Sequence, residues 1–264
     1  MQRLQALCFG FLISLFLMGS SAMAATPQEI VGADTLSSLQ GKTLLLAGAT
    51  GNNGGAVREQ LTALGVRVRA MSRNGDKARD KFGDNHDWVS GDVTKPETLG
   101  PVLEGVDVVI WAVATMRPWG SNRPEMVDYQ GVVNMAAAAQ EAGVSRMVMI
   151  TSSVSGSEDS LLNWVGDMII YKGKGEEAVM ASGLEYVIVG PSAIKFEEGG
   201  KAPIRMIPRA EYERGQAITS GDLASVVIAA AALPEAANRV FSVNNGEGNA
   251  DLGWHAQFAD LPAR

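Results

Sequence analysis

The sequence predicts a doubly wound α/β fold in a single domain: a mainly parallel sheet with helices on both faces. Three observations carry this expectation. Apolar runs of strand length alternate with stretches of helical periodicity through residues 43–189. Several runs are apolar at nearly every position, as in Val106-Asp107-Val108-Val109-Ile110-Trp111-Ala112-Val113, which suits a strand covered on both faces. The first run, Leu44-Leu45-Leu46-Ala47, leads straight into the glycine-rich turn Gly48-Ala49-Thr50-Gly51-Asn52-Asn53-Gly54-Gly55.

Taken in order, the chain opens with Arg3 ahead of an uncharged apolar stretch, Leu7 to Met18, then Gly19-Ser20-Ser21 and Ala22-Met23-Ala24. That is the pattern of a secretory signal peptide over residues 1–24, cut after Ala24. An uncleaved anchor is the alternative, because no charge interrupts Leu4 to Pro27 and that length reaches across a bilayer. In both cases Arg3 favours an N-terminus that stays inside. The domain is then expected to be exported, periplasmic when cleaved and facing outward when anchored, with no stable membrane insertion after cleavage. Residues 25–40 are polar and unpatterned and read as a leader before the domain at 41–264.

Strands are expected near 43–48, 66–71, 87–90, 106–113, 146–151 and 184–189. Helices are expected near 54–64, 76–82, 96–104, 124–142 and 168–182. The segments Ile204 to Pro208 and Arg239 to Val243 can add strands, with a helix at 221–232 between them, and this C-terminal part completes the substrate side.

Composition removes several functions. Of 264 residues 46% are hydrophobic, enough for one substantial core, and Lys+Arg 22 against Asp+Glu 29 with no basic run leaves no nucleic-acid footprint. The one cysteine, Cys8, lies in the N-terminal apolar run, so a cleaved chain has neither disulfides nor thiolate chemistry. His86 and His255 are the only histidines, and neither has a partner at metal or triad spacing, so no metal is expected. No Gly-x-x-x-x-Gly-Lys-Ser/Thr occurs, which argues against phosphoryl transfer.

The glycine turn is a candidate dinucleotide site. Gly48 makes the tight turn after the strand, and Gly51 clears space for backbone N–H groups to face phosphate. Gly54 lets the next helix lie close to the sheet with its N-terminus aimed at the anion; Thr50, Asn52 and Asn53 complete the loop. The following helix and second strand complete a βαβ unit, so the expected fold is Rossmann-like and NAD(P)-binding. The second strand ends in Met71-Ser72-Arg73, with an arginine where an NAD site carries an acid. NADP(H) is therefore favoured over NAD(H).

The ordered set Gly48 to Gly54, Ser72-Arg73, Gly91-Asp92-Val93, Val127-Asp128-Tyr129-Gln130-Gly131 and Ser152-Ser153 resembles the atypical short-chain dehydrogenase/reductases, in particular their NmrA-like branch. The resemblance runs from about Lys42 to Val243. It implies an adenine-side contact at Asp92 and Val93 and a wall beside the ribose from Ala112 to Thr115, with Ala112 and Ala114 in contact. It also implies a lysine on the cofactor ribose, for which Lys174 is favoured over Lys172, and a substrate-oxygen contact at Ser152.

The usual Tyr-x-x-x-Lys pair is missing: no tyrosine is followed four positions later by lysine. Tyr171 is the nearest candidate proton donor. The segment 116–123, with Arg117, Trp119 and Arg123, is expected to form a pocket wall. Two functions stay open: an NADPH-dependent oxidoreductase acting on a small carbonyl, quinone or flavin-like acceptor, and a non-catalytic NAD(P)-binding sensor or assembly protein with a regulatory protein partner. Export and this cofactor pull apart, since an unfolded exported chain cannot carry NADP(H) and the lone Arg3 is not a twin-arginine signal.

Overall fold

The computed structural model describes residues 24–212 and 214–263; the proposed signal peptide lies outside them except for Ala24. In chain order the elements are α1 (Pro27–Val31), α2 (Ala33–Leu39), β1 (Leu44–Ala47), α3 (Asn52–Ala63), β2 (Arg69–Ser72), α4 (Gly75–Phe82), β3 (Asp87–Ser90) and α5 (Gly100–Leu103). There follow β4 (Val108–Trp111), a π-helical turn (Glu125–Gln130) that runs into α6 (Gly131–Glu141), β5 (Arg146–Ile150), α7 (Met168–Met180) and β6 (Glu185–Pro191). The chain ends with β7 (Ala193–Lys195), β8 (Ile204–Pro208), β9 (Ala217–Thr219), α8 (Ser220–Ala232), β10 (Arg239–Asn245) and α9 (Gln257–Asp260).

Eight strands form one sheet in the order β3-β2-β1-β4-β5-β6-β10-β8. All neighbours pair in parallel except β8, which runs antiparallel to β10 at the edge. Side-chain alternation divides the core between two faces. Leu44 and Leu46 of β1, with Val108 and Ile110 of β4, join the face covered by α1, α2, α3 and α8. Leu45 and Ala47, with Val109 and Trp111, join the face covered by α5, α6 and α7. Each such aliphatic side chain taken from water contributes about 1.5–3 kcal/mol, which is why strands apolar on both sides stay central.

The two late strands are present, and β7 with β9 form a separate parallel pair that the sequence reading did not include. The expected 124–142 helix is interrupted: its first turn is π-helical, and the α-helix begins at Gly131. The expectation of an unpatterned leader at 25–40 is corrected. Thr26 and Glu29 close a capping box around Pro27, and Ile30, Val31 and Leu39 are buried in the core. Trp254 Nε1 donates to Ile30 O at 3.0 Å, and His255 Nε2 lies 2.8 Å from Val31 O as its donor, so the C-terminal segment fastens both short helices.

Burial pushes the His255 imidazole below its ordinary value of 6.5, and burial does the same to His86, whose Nε2 meets Thr62 Oγ1 at 2.8 Å. Below pH 6.5 the unfolded chain takes up protons that the folded chain refuses. Stability is therefore flat above that pH and falls as pH drops through it toward the folded-state values. Urea titrations at about pH 7.5 and about pH 5.5 should give a lower midpoint at the acidic value, with part of the difference removed by His86→Gln. Equal midpoints would contradict the neutral burial of both rings.

Candidate functional site

The site lies at the carboxyl edge of the sheet, where β1, β2, β3 and β4 end and α3 begins. Gly48 sits at φ 85°, and a Cβ there would stand 2.7 Å from the Ala112 carbonyl oxygen. At Gly54 an added Cβ would overlap the Gly48 carbonyl, so any side chain would push α3 away from β1. Arg58, buried, donates from Nη1 to Ala49 O at 2.9 Å and lays its guanidinium 4.0 Å from the Phe82 ring centre, bracing the turn from behind.

Gly51 is the N-cap of α3 and supplies no side-chain cap, so the first-turn N–H groups remain available. The buried amide oxygen of Asn53 is likewise without a hydrogen-bond partner. An uncapped twelve-residue helix start in a glycine cradle has the donor geometry and dipole for a pyrophosphate.

A cleft of about 400 Å³ runs from this point past β2, β3 and β4. Of the expected cofactor residues, Gly48, Thr50, Gly51, Ser72, Arg73, Asp92, Val93, Ala112 and Ala114 line it. Asn52, Asn53 and Gly54 lie behind it in the first turn of α3. The Ser72 hydroxyl is already committed, donating to Asn74 O at 2.7 Å, so it shapes the turn that presents Arg73. A side recess beside Arg73 is lined by Thr50, Asn74, Lys77 and Lys81 among others, with no carboxylate in its wall. Asp92 folds onto Thr94, accepting from its N–H and hydroxyl at 3.0 and 2.8 Å.

The three expected catalytic residues fall elsewhere: Ser152, Tyr171 and Lys174 do not line the cleft. Ser152 is tied into a strand-end turn, its hydroxyl accepting from Val154 N–H at 3.4 Å. Tyr171 stacks on Tyr129 with ring centres 6.4 Å apart. Lys174 is exposed on α7 with its ammonium 5.0 Å from the Tyr171 ring centre, which corrects the preference for it as the ribose lysine.

Lys172 takes the inward position instead. Its Nζ donates to Asp128 Oδ1 at 2.6 Å, with the side chains only 10% and 1% exposed. Asp128 stands on the π-helical turn between cleft residue Val127 and Tyr129, and its other oxygen has no partner. Burial raises the Asp128 carboxyl above its ordinary value, opposed by the Lys172 ammonium and by the Thr115 backbone. The approach of α7 to this turn is close enough that a Cβ at Gly175 would overlap the Asp128 carbonyl oxygen.

Sequence reasoning also missed Arg209. Its Nη1 contacts both carboxylate oxygens of Glu176 on α7 at 2.9 and 2.8 Å, and its Nη2 reaches over Gly190, where a Cβ would stand 2.6 Å away. The pair ties α7 to the end of β8. No local pattern signals it, because 33 residues separate the partners.

A family model described as NAD(P)H-binding matches residues 48–234, most of the chain. The chain belongs to the NAD(P)H-binding family. The match spans the glycine cradle, the cleft and α7, and the resemblance to atypical short-chain dehydrogenase/reductases holds with it. Among curated relatives, the sanguinarine reductase of Eschscholzia californica is 25% identical, covering 83% of this chain and 96% of that protein. Protein TIC 62 of the chloroplast of Pisum sativum is 29% identical over 58% of this chain but only 33% of its own length.

Two solved structures share the fold. A putative NAD-dependent epimerase/dehydratase from Bacillus halodurans superposes with TM-score 0.69 at 21% identity, covering 83% of this chain and 99% of that one. The anaerobillin reductase ChuY from Escherichia coli O157:H7 gives 0.65 at 20% identity, covering 79% and 99%.

Removing Lys172 alone leaves a buried carboxylate without its counter-ion, whereas removing both charges does not. Lys172→Met should lower unfolding free energy at neutral pH by about 3 kcal/mol, and the Lys172→Met/Asp128→Leu double variant by clearly less. Chemical denaturation checks this; additive losses in the double variant would mean the two groups are not coupled.

Proposed function

We propose that this protein is an NADPH-dependent oxidoreductase whose acceptor takes its proton from solvent, as a quinone or flavin-like ring does. The observation that carries the proposal is the continuous path from the uncapped start of α3 to the carboxylate-free recess at Arg73. Along it the first-turn N–H groups of α3 face the pyrophosphate, and Asp92 and Val93 bound the adenine side. Arg73, with Lys77 and Lys81 alongside, offers cations to a 2′-phosphate, a group an NAD site would meet with an acid.

When bound, the nicotinamide supplies hydride transfer. Lys172, held by Asp128, keeps its remaining N–H bonds for the ribose hydroxyls, which makes it the positioning lysine of this chain. With no tyrosine-lysine pair and no candidate acid lining the cleft, catalysis rests on orientation, and a substrate needing an enzymatic proton donor fits poorly. The reductase names among the relatives support this choice over a binding-only role.

The N-terminal pattern supports export of the domain, with the cofactor acquired after folding on the far side of the membrane. Sequencing of the mature chain from a cell-envelope fraction should begin at Ala25. A cytosolic chain starting at Met1 would overturn export and leave the cofactor proposal standing.

Arg73→Asp should weaken NADPH binding by about ten- to a hundredfold, the loss of one or two charge-assisted contacts, with NADH nearly unaffected. Equal losses for both would remove Arg73 from the 2′-phosphate. Steady-state NADPH oxidation across quinones, flavins and aldehydes should give turnover with the first two classes. Tight NADPH binding without turnover on any of them would favour the sensor or assembly role.

A further inference from the structure

We propose that the carboxyl edge of the sheet docks on a lipid bilayer surface, with the loops at 116–123 and 154–167 entering the interfacial layer. Seven large apolar side chains are exposed among the described residues, and five sit on these two loops. Trp119 and Trp164 are 79% and 78% exposed, and Leu161 is 89% exposed beside Leu162 and Met116. The loops form one surface, because Gly166 backs directly onto Pro118, whose carbonyl oxygen would stand 2.7 Å from an added Cβ. Met116 also lines the cofactor cleft, so the apolar patch begins at the cleft mouth.

Two observations select lipid as the occupant. First, the N-terminal apolar stretch joins the domain on this same edge. Ala24 and Ala25 share a groove with the starts of α3 and α8 and with exposed Phe196, and Ala25 N–H donates to Gly200 O at 2.9 Å. A segment of bilayer-spanning length is thus attached beside the patch, so that segment and patch address one plane. Second, two tryptophans flanked by leucine and methionine match the side chains that settle at the headgroup level. Exposed Glu158 and Asp159, next to Leu161, offset Arg117, which favours a zwitterionic surface over a strongly anionic one. The contact is interfacial: no described helix is long and apolar enough to cross a membrane. In this orientation the cleft mouth faces the phase in which a lipophilic acceptor dissolves.

The five tryptophans make the test direct. Trp88, Trp111 and Trp254 are buried in the core, so only Trp119 and Trp164 can meet lipid. The full chain is mixed with phosphatidylcholine vesicles whose acyl chains are plain or brominated, and tryptophan emission is compared. Brominated lipid should remove about two fifths of the emission, the share of two tryptophans in five. Leu161→Ser/Leu162→Ser, which keeps both reporters, should cut that quenching several-fold while leaving the unfolding midpoint unchanged. Unquenched emission in the full chain would overturn the proposal, whether the chain is then held by its N-terminal stretch alone or the patch meets a protein or a second copy. Quenching equally strong in the double-serine variant would overturn it as well.

Discussion

The close approach of α3 to β1 is the constraint on which the rest depends. A helix that begins two residues beyond Gly51's neighbouring turn can lie this near a strand only if no side chain stands between them, and the Gly48 carbonyl occupies the space that a Cβ at Gly54 would need. That contact aims the uncapped N–H groups of α3 along the carboxyl edge and fixes how far the cleft stands from β2 and β4. Arg58 holds the turn rigid by taking the Ala49 carbonyl, a group a binding loop would otherwise leave to water. Orientation at this point is set by backbone, which suits a ligand recognised through phosphate oxygens.

A second pair of close contacts sets α7. Gly175 lets that helix ride against the π-helical turn, and the Arg209–Glu176 pair fastens its other side to β8 through the space above Gly190. Buried ion pairs of this kind contribute little net stability but penalise every arrangement that separates them, so they serve register better than they serve folding energy. Lys172 is placed by that register. The π-helical turn fits the same logic, because an added residue in a helix re-aims the side chains on it, here Asp128.

Much of this was legible in the sequence for physical reasons. Strands such as Val108–Trp111, apolar on both faces, report a covered parallel sheet, and a phosphate cradle is built from consecutive residues, so its members can be read as a run. The choice between Lys172 and Lys174 was not legible, since positions two apart on a helix point to different faces and only tertiary packing says which face meets Asp128. Arg209 and Glu176 are partners through long-range closure and leave no local pattern. The strands Ala193–Lys195 and Ala217–Thr219 are three residues each, too short for alternation to stand out. The helices at 27–39 were legible in part: Thr26-Pro27-Gln28-Glu29 is a capping box, outweighed in the reading by the polar composition around it.

The central claim is that the glycine cradle and the Arg73 recess form one NADPH site. Calorimetric titration of the purified protein with NADPH and with NADH tests it most directly. The account predicts one-to-one binding with NADPH favoured by at least about tenfold, the free energy of a single charge-assisted contact. No heat from either dinucleotide, or a preference for NADH, would contradict it and leave the cradle as architecture without a ligand.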